Sequence, residues 1–216
     1  MPLTGPRLTA RAGTARQLVV FLHGYGADGN DLIGIGQQWQ NYLPDTAFAA
    51  PHAPQPCGMG AGRQWFALTM RDHAERWNGV QAAGPDLDEY LDAELARLGL
   101  DDSQLALVGF SQGSMLALHV GLRRKRAPAA VIAYSGTLEG AEHLKETPAR
   151  PPLLLVHGDQ DEVVPVEALF DATNGFAAAG IPAQWHLSHG VGHGIDQQGL
   201  THGLLFLAEA FKVKIG

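Results

Sequence analysis

Six short apolar runs, each bounded by glycine, proline or aspartate, alternate with helix-patterned segments, and this alternation constrains the fold more than any other feature. The runs are Gln17 to Leu22, Thr46 to Ala50, Gln104 to Val108, Ala129 to Tyr134, Leu153 to Val156 and Ala183 to Leu187. Strands this uniformly apolar belong to a sheet covered on both faces. The clearest helix is expected after Pro85. There Asp86 is a good N-cap, Glu89 completes a capping-box pair, and Leu87, Tyr90, Leu91, Leu95 and Leu98 recur at helical spacing before Gly99. Further helices are expected over Ser111 to Arg124, Val166 to Ala179 and Gln197 to Phe211. The order of elements predicts an α/β fold: an open, doubly wound, mostly parallel sheet with helices on both faces and ligands at the carboxyl ends of the strands.

At 216 residues, 45% of them hydrophobic, the chain suffices for one sizeable core, so a single domain spanning 1–216 is expected. A net charge of −7 disfavours nucleic acid and anionic membrane surfaces as partners, since both would repel it. The only basic run, Arg123-Arg124-Lys125-Arg126, reads as a solvated helix end whose cations complement the helix dipole. The opening "MPLTGPRLTARAG" lacks the apolar core of a signal peptide, and no stretch approaches a membrane span, so integral membrane association is not expected and the cytoplasm is the expected compartment. The single cysteine, Cys57, cannot form an internal disulfide and reads as a small buried hydrophobe.

Residues 51–84 lack a regular pattern and hold several prolines and glycines together with Trp65, Phe66 and Trp77. An excursion of this length reads as a lid or substrate loop, with its aromatics either lining a pocket or forming satellite core beneath it.

The stretch Gly109-Phe110-Ser111-Gln112-Gly113 is a G-x-S-x-G set between an expected strand and an expected helix. That setting presents the serine on a strained turn at a helix N-terminus, with glycines where a side chain would strike the neighbouring backbone, and makes Ser111 the expected nucleophile. A serine hydroxyl needs a base and a group to orient that base. After the fifth run come Asp159, Asp161 and Glu162, and after the sixth come His189 and His193. Spacing alone does not choose among them.

Taken together, "FLHGYGADGND", "APHAP", "GFSQGSMLAL", "YSG", "HGDQDEVVP" and "GHGID" resemble the phospholipase/carboxylesterase family of α/β-hydrolases, which includes acyl-protein thioesterases and small bacterial carboxylesterases. The resemblance runs from Gln17 to Phe211 and implies the α/β-hydrolase fold, with Asp161 as the acid and His193 as the base. Asp159 is then expected to tie its own loop, and His189 to shape its loop or meet solvent. One oxyanion-hole donor is the backbone N–H of Gln112, the residue after the nucleophile. The family places the other at Tyr25, where many members carry leucine; a backbone donor leaves the hole intact and alters only the pocket wall. Residues Cys57 to Trp77, including Trp65, Phe66 and Met70, are expected to supply the acyl wall.

Two other readings are set aside. Gly24 to Gly29 fits a dinucleotide-type G-x-G-x-x-G, but Ala49-Ala50-Pro51-His52 offers no acid to bind a ribose. His186, His189 and His193 span a strand end and a glycine loop rather than one helix face, so no metal site is expected. The expected activity is a cofactor-free serine carboxylesterase acting on small acyl esters of short to medium chain. Acyl-protein thioesterase or lysophospholipase activity is the alternative within the class, and small-molecule esters or thioesters are the expected partners. A non-catalytic binding module on a hydrolase scaffold is the alternative of another class.

Overall fold

The computed structural model describes residues 2–58, 62–69 and 73–215. A seven-stranded sheet forms its centre, ordered β1 (Arg7–Leu8), β3 (Thr46–Ala49), β2 (Gln17–Leu22), β6 (Leu105–Phe110), β7 (Ala130–Tyr134), β8 (Leu153–Gly158) and β9 (Gln184–Ser188). All neighbours pair in parallel except β1, which runs antiparallel to β3 at the edge. Each of the six apolar runs is a strand of this sheet, and the α/β-hydrolase fold class follows. A small antiparallel pair, β4 (Gln55–Pro56) with β5 (Arg63–Gln64), stands apart from it.

The strands are apolar throughout because both faces are covered, and successive residues feed opposite cores. Leu18, Val20 and Leu22 join the core beneath α2 (His73–Leu98), α3 (Gln112–Arg123) and α4 (Glu167–Ala178). Val19 and Phe21 join the core beneath α1 (Gly29–Trp39) and α5 (Gln197–Ala210). Among the described residues, no helix is long and apolar enough to cross a membrane.

Three expectations need correction. The helix expected to start after Pro85 begins at His73 and runs through that proline. Proline removes one N–H and so frees the Gln81 carbonyl four residues earlier, but Gln81 and Pro85 both face solvent, where water satisfies it. Meanwhile Val80, Ala83, Leu87 and Leu91 keep a buried stripe continuous across the proline. In consequence residues 73–84 are helix, and the irregular stretch of the expected loop is correspondingly shorter. Arg124 is not a solvated helix end either: it is buried, and its guanidinium reaches Asp88 at 2.8 Å, Asp92 at 2.6 Å and also Asp102, riveting the end of α3 to α2.

Candidate active site

Every chemically informative loop leaves the carboxyl end of a parallel strand, so the sheet gathers them at one edge. Ser111 follows β6 and caps α3 with φ of 53°, a left-handed value that a non-glycine residue adopts only when its surroundings impose it. The flanking glycines explain how. A Cβ on Gly109 would lie 2.4 Å from the Gly113 carbonyl oxygen, and one on Gly113 would lie 2.0 Å from that of Leu22. Only hydrogen fits at either position, and the tight turn lifts the Ser111 hydroxyl out of the sheet.

His193, in the loop after β9, places Nε2 3.0 Å from Ser111 Oγ. Its Nδ1 lies 2.8 Å from Asp161 Oδ2, in the turn after β8. The remaining oxygen, Asp161 Oδ1, accepts backbone N–H bonds from Val163 at 2.9 Å and Val164 at 2.8 Å, which hold the carboxylate in one orientation. The Phe110 ring packs on the imidazole with centroids 4.9 Å apart. Serine, histidine and aspartate therefore form one continuous hydrogen-bonded chain, with the acid's side chain fully buried.

Two neighbours within the same motifs, His157 and Asp159, support this chain. His157 Nε2 donates to the Val164 carbonyl at 2.8 Å and lies 3.4 Å from Asp161 Oδ2, backing the acid from a fully packed position. Asp159 reaches beyond its own loop: it accepts from His189 Nδ1 at 3.0 Å and from Gly190 N at 2.7 Å, while Gln160 N donates to the Val191 carbonyl at 2.9 Å. The acid loop and the histidine loop are thus zipped together. The bond from His189 holds the Asp159 carboxyl below its ordinary range.

The Gly24–Tyr25 segment approaches Ser111 closely, since a Cβ on Gly24 would lie 3.3 Å from Ser111 Cβ. Gln112 opens α3, where the first N–H groups have no helical acceptor. His23 stands behind the segment, fully buried, accepting from Ala53 N at Nε2 (3.0 Å) and donating from Nδ1 to the Gly24 carbonyl (2.8 Å). Burial pushes its pKa down, consistent with a neutral ring using one nitrogen as acceptor.

Trp65 and Phe66 are 2% and 3% exposed, so they belong to the core under α2 and α3 rather than to an open wall. Met70 lies outside the described residues. An open cavity of about 360 Å³ does adjoin the site; its lining includes Met115, one turn along α3 from Ser111, Leu138, and the same Val163 and Val164 that bind Asp161. The buried pair Arg76–Glu139, 2.7 Å apart, also lines it.

The phospholipase/carboxylesterase family model matches residues 3–210. Esterase YpfH of Escherichia coli is 27% identical over 191 residues, covering 88% of this chain and 81% of that protein. Acyl-protein thioesterase 1 of Schizosaccharomyces pombe is 31% identical over 157 residues, covering 68% of this chain and 69% of that protein. The crystal structure of esterase PE8 superposes with a TM-score of 0.94 at 45% identity, over 97% of this chain and all of the other. With a family match over nearly its full length, the chain belongs to the phospholipase/carboxylesterase family and is a hydrolase of the serine type.

Proposed function

We propose that this protein is a serine carboxylesterase that hydrolyses carboxylic esters of short to medium acyl chain through Ser111, His193 and Asp161. The observation that carries the reading is the unbroken relay from Ser111 Oγ through the imidazole to the buried Asp161 carboxylate, at 3.0 and 2.8 Å. Ser111 Oγ attacks the ester carbonyl carbon while its proton passes to His193 Nε2, and the carbonyl electron pair becomes an oxyanion facing the N–H groups of Gln112 and Tyr25. Collapse of this intermediate breaks the bond to the alcohol oxygen, which leaves with the proton held by His193. A water molecule then gives a proton to His193 and attacks the acyl-enzyme. The second collapse releases the carboxylic acid and returns the proton to Ser111. Asp161 holds the imidazole in the tautomer that presents a bare Nε2 to the serine.

The Met115–Val164 cavity supports a short to medium acyl chain, because its apolar patch of Met115, Leu138, Val163 and Val164 is bordered by the Arg76–Glu139 ion pair. A thioester substrate is the second reading, favoured by the 31% identity to a protein named acyl-protein thioesterase 1. The same steps serve it, with a thiol as leaving group. Hydrolysis of p-nitrophenyl esters from acetate to palmitate, with Ser111→Ala alongside, tests both. Turnover that peaks at short chains and vanishes in the variant is expected. A peak at palmitate favours the thioesterase reading, and turnover that survives in Ser111→Ala moves the nucleophile elsewhere.

A further inference from the structure

We propose that Trp65 and the side chain of Gln112 are positioning residues that lock the two halves of the oxyanion hole to one another. This rests on the reading of Ser111 as nucleophile. The two donors come from separate parts of the chain, the loop after β2 and the start of α3, which strand pairing and close packing bring side by side. A continuous set of buried hydrogen bonds ties them to one another.

Gln112 Oε1 accepts from the backbone N–H of Trp65 at 2.9 Å, and Gln112 Nε2 donates to the Phe66 carbonyl at 2.8 Å. The indole Nε1–H of Trp65 in turn donates to the His23 carbonyl at 2.9 Å. His23 continues the path through its ring, whose Nδ1–H bonds the Gly24 carbonyl at 2.8 Å. That carbonyl belongs to the same planar peptide unit as the Tyr25 N–H. In a trans peptide the C=O and N–H point in opposite directions, so anchoring one end aims the other. The path thus runs from the residue that carries one donor to the peptide that carries the second. All three of its side chains are buried, with Gln112 and His23 showing no exposed surface and Trp65 2%.

Side-chain chemistry fits these tasks. A carboxamide offers a donor and an acceptor from one planar group, which is what the Trp65 N–H and the Phe66 carbonyl require; a carboxylate would set an oxygen against the Phe66 oxygen. The indole is a donor only and meets a carbonyl. Because the network is buried and paired at each of these bonds, losing one leaves an unsatisfied group that must shift to find a partner. A displacement of the hole weakens binding of the oxyanion more than binding of the ground-state ester.

The test measures kcat and KM for p-nitrophenyl butyrate, and inhibition by an alkyl trifluoromethyl ketone. This ketone accepts Ser111 Oγ at its carbonyl carbon to form a hemiketal oxyanion in the hole. In Trp65→Phe, kcat is expected to fall at least about tenfold with KM within about twofold, and ketone affinity to fall in parallel with kcat. Trp39→Phe, a buried tryptophan of the opposite core, provides a match for lost packing and should change neither ratio. Gln112→Met keeps the volume, removes both side-chain bonds, and is read the same way should Trp65→Phe fail to fold. A folded variant of either residue that keeps both kcat and ketone affinity within about twofold overturns the proposal, as does an equal loss in Trp39→Phe. Turnover that persists in Ser111→Ala would instead sink the underlying assignment of the nucleophile.

Discussion

Asp161 accepts from His193 Nδ1 through one carboxylate oxygen at 2.8 Å, while its other oxygen is occupied by the two backbone N–H groups of Val163 and Val164. The structural task and the proposed catalytic task are therefore divided between two atoms, and a substitution can separate them. Asp161→Asn keeps an acceptor for the backbone but turns an N–H toward the imidazole, favouring the wrong tautomer. Turnover is expected to fall by about 10³–10⁴ with the melting temperature little changed. Near-normal turnover would show that the acid lies elsewhere.

Asp159 and His189 form the outer pair, and His189 is 83% exposed at its side chain. Removing the ring leaves the bond from Gly190 N to Asp159 in place. His189→Ala should therefore keep turnover within about threefold, whereas His193→Ala should abolish it. A large loss in His189→Ala would bring that histidine into the chemistry.

The strands and the tight turn at Ser111 were legible because each rests on local chemistry. Apolar runs bounded by turn residues can bury both faces, and Gly109 and Gly113 record a close approach that no other residue survives. What was not legible depends on partners distant in sequence. Pro85 looked like a helix start because proline is read locally, while the upstream Val80 and Ala83 carried the same buried stripe and were the available signal. Arg124 looked solvated within a basic run; its three carboxylates come from α2 and from the turn at Asp102. For Trp65 and Phe66 the sequence left pocket lining and satellite core open, because aromatic residues in an irregular segment can be either. Their anchor, the Gln112 side chain, lies 47 residues away in the chain.

Two buried histidines give the stability a defined pH dependence. Burial holds His23 below its ordinary pKa, and burial together with the Arg123 charge takes His119 down to about 3. Both rings stay neutral in the fold at pH values where the unfolded chain binds protons, near the ordinary value of 6.5. The unfolded state therefore gains protons first as pH falls, so stability is complete above about pH 6.5 and declines below it. For His119 the limiting slope is about 1.4 kcal/mol per pH unit, and His23 adds in the same direction. Urea unfolding between pH 7 and 5 should show the decline, and His119→Phe should make it shallower while His23 keeps part of it. An unchanged slope in that variant would mean the ring protonates in the fold.

The acyl-length profile offers the sharpest check on where the substrate chain goes. Arg76 and Glu139 are 11% and 3% exposed at their side chains, and they border the apolar patch of Met115, Leu138, Val163 and Val164 in the cavity. Each added methylene that passed this point would have to lie against a charged pair rather than gain burial. Removing one member alone would take away the opposite charge from a buried ion and cost stability, so the informative change removes both. The double variant Arg76→Met with Glu139→Leu roughly keeps side-chain volume and extends the apolar patch across the place of the ion pair. Its kcat/KM for p-nitrophenyl octanoate relative to butyrate should rise at least about threefold, since burial of even a few methylenes in an apolar pocket is worth that much. A folded double variant with an unaltered length profile would mean that the acyl chain occupies a different cleft and that the ion pair only ties α2 to the segment after β7.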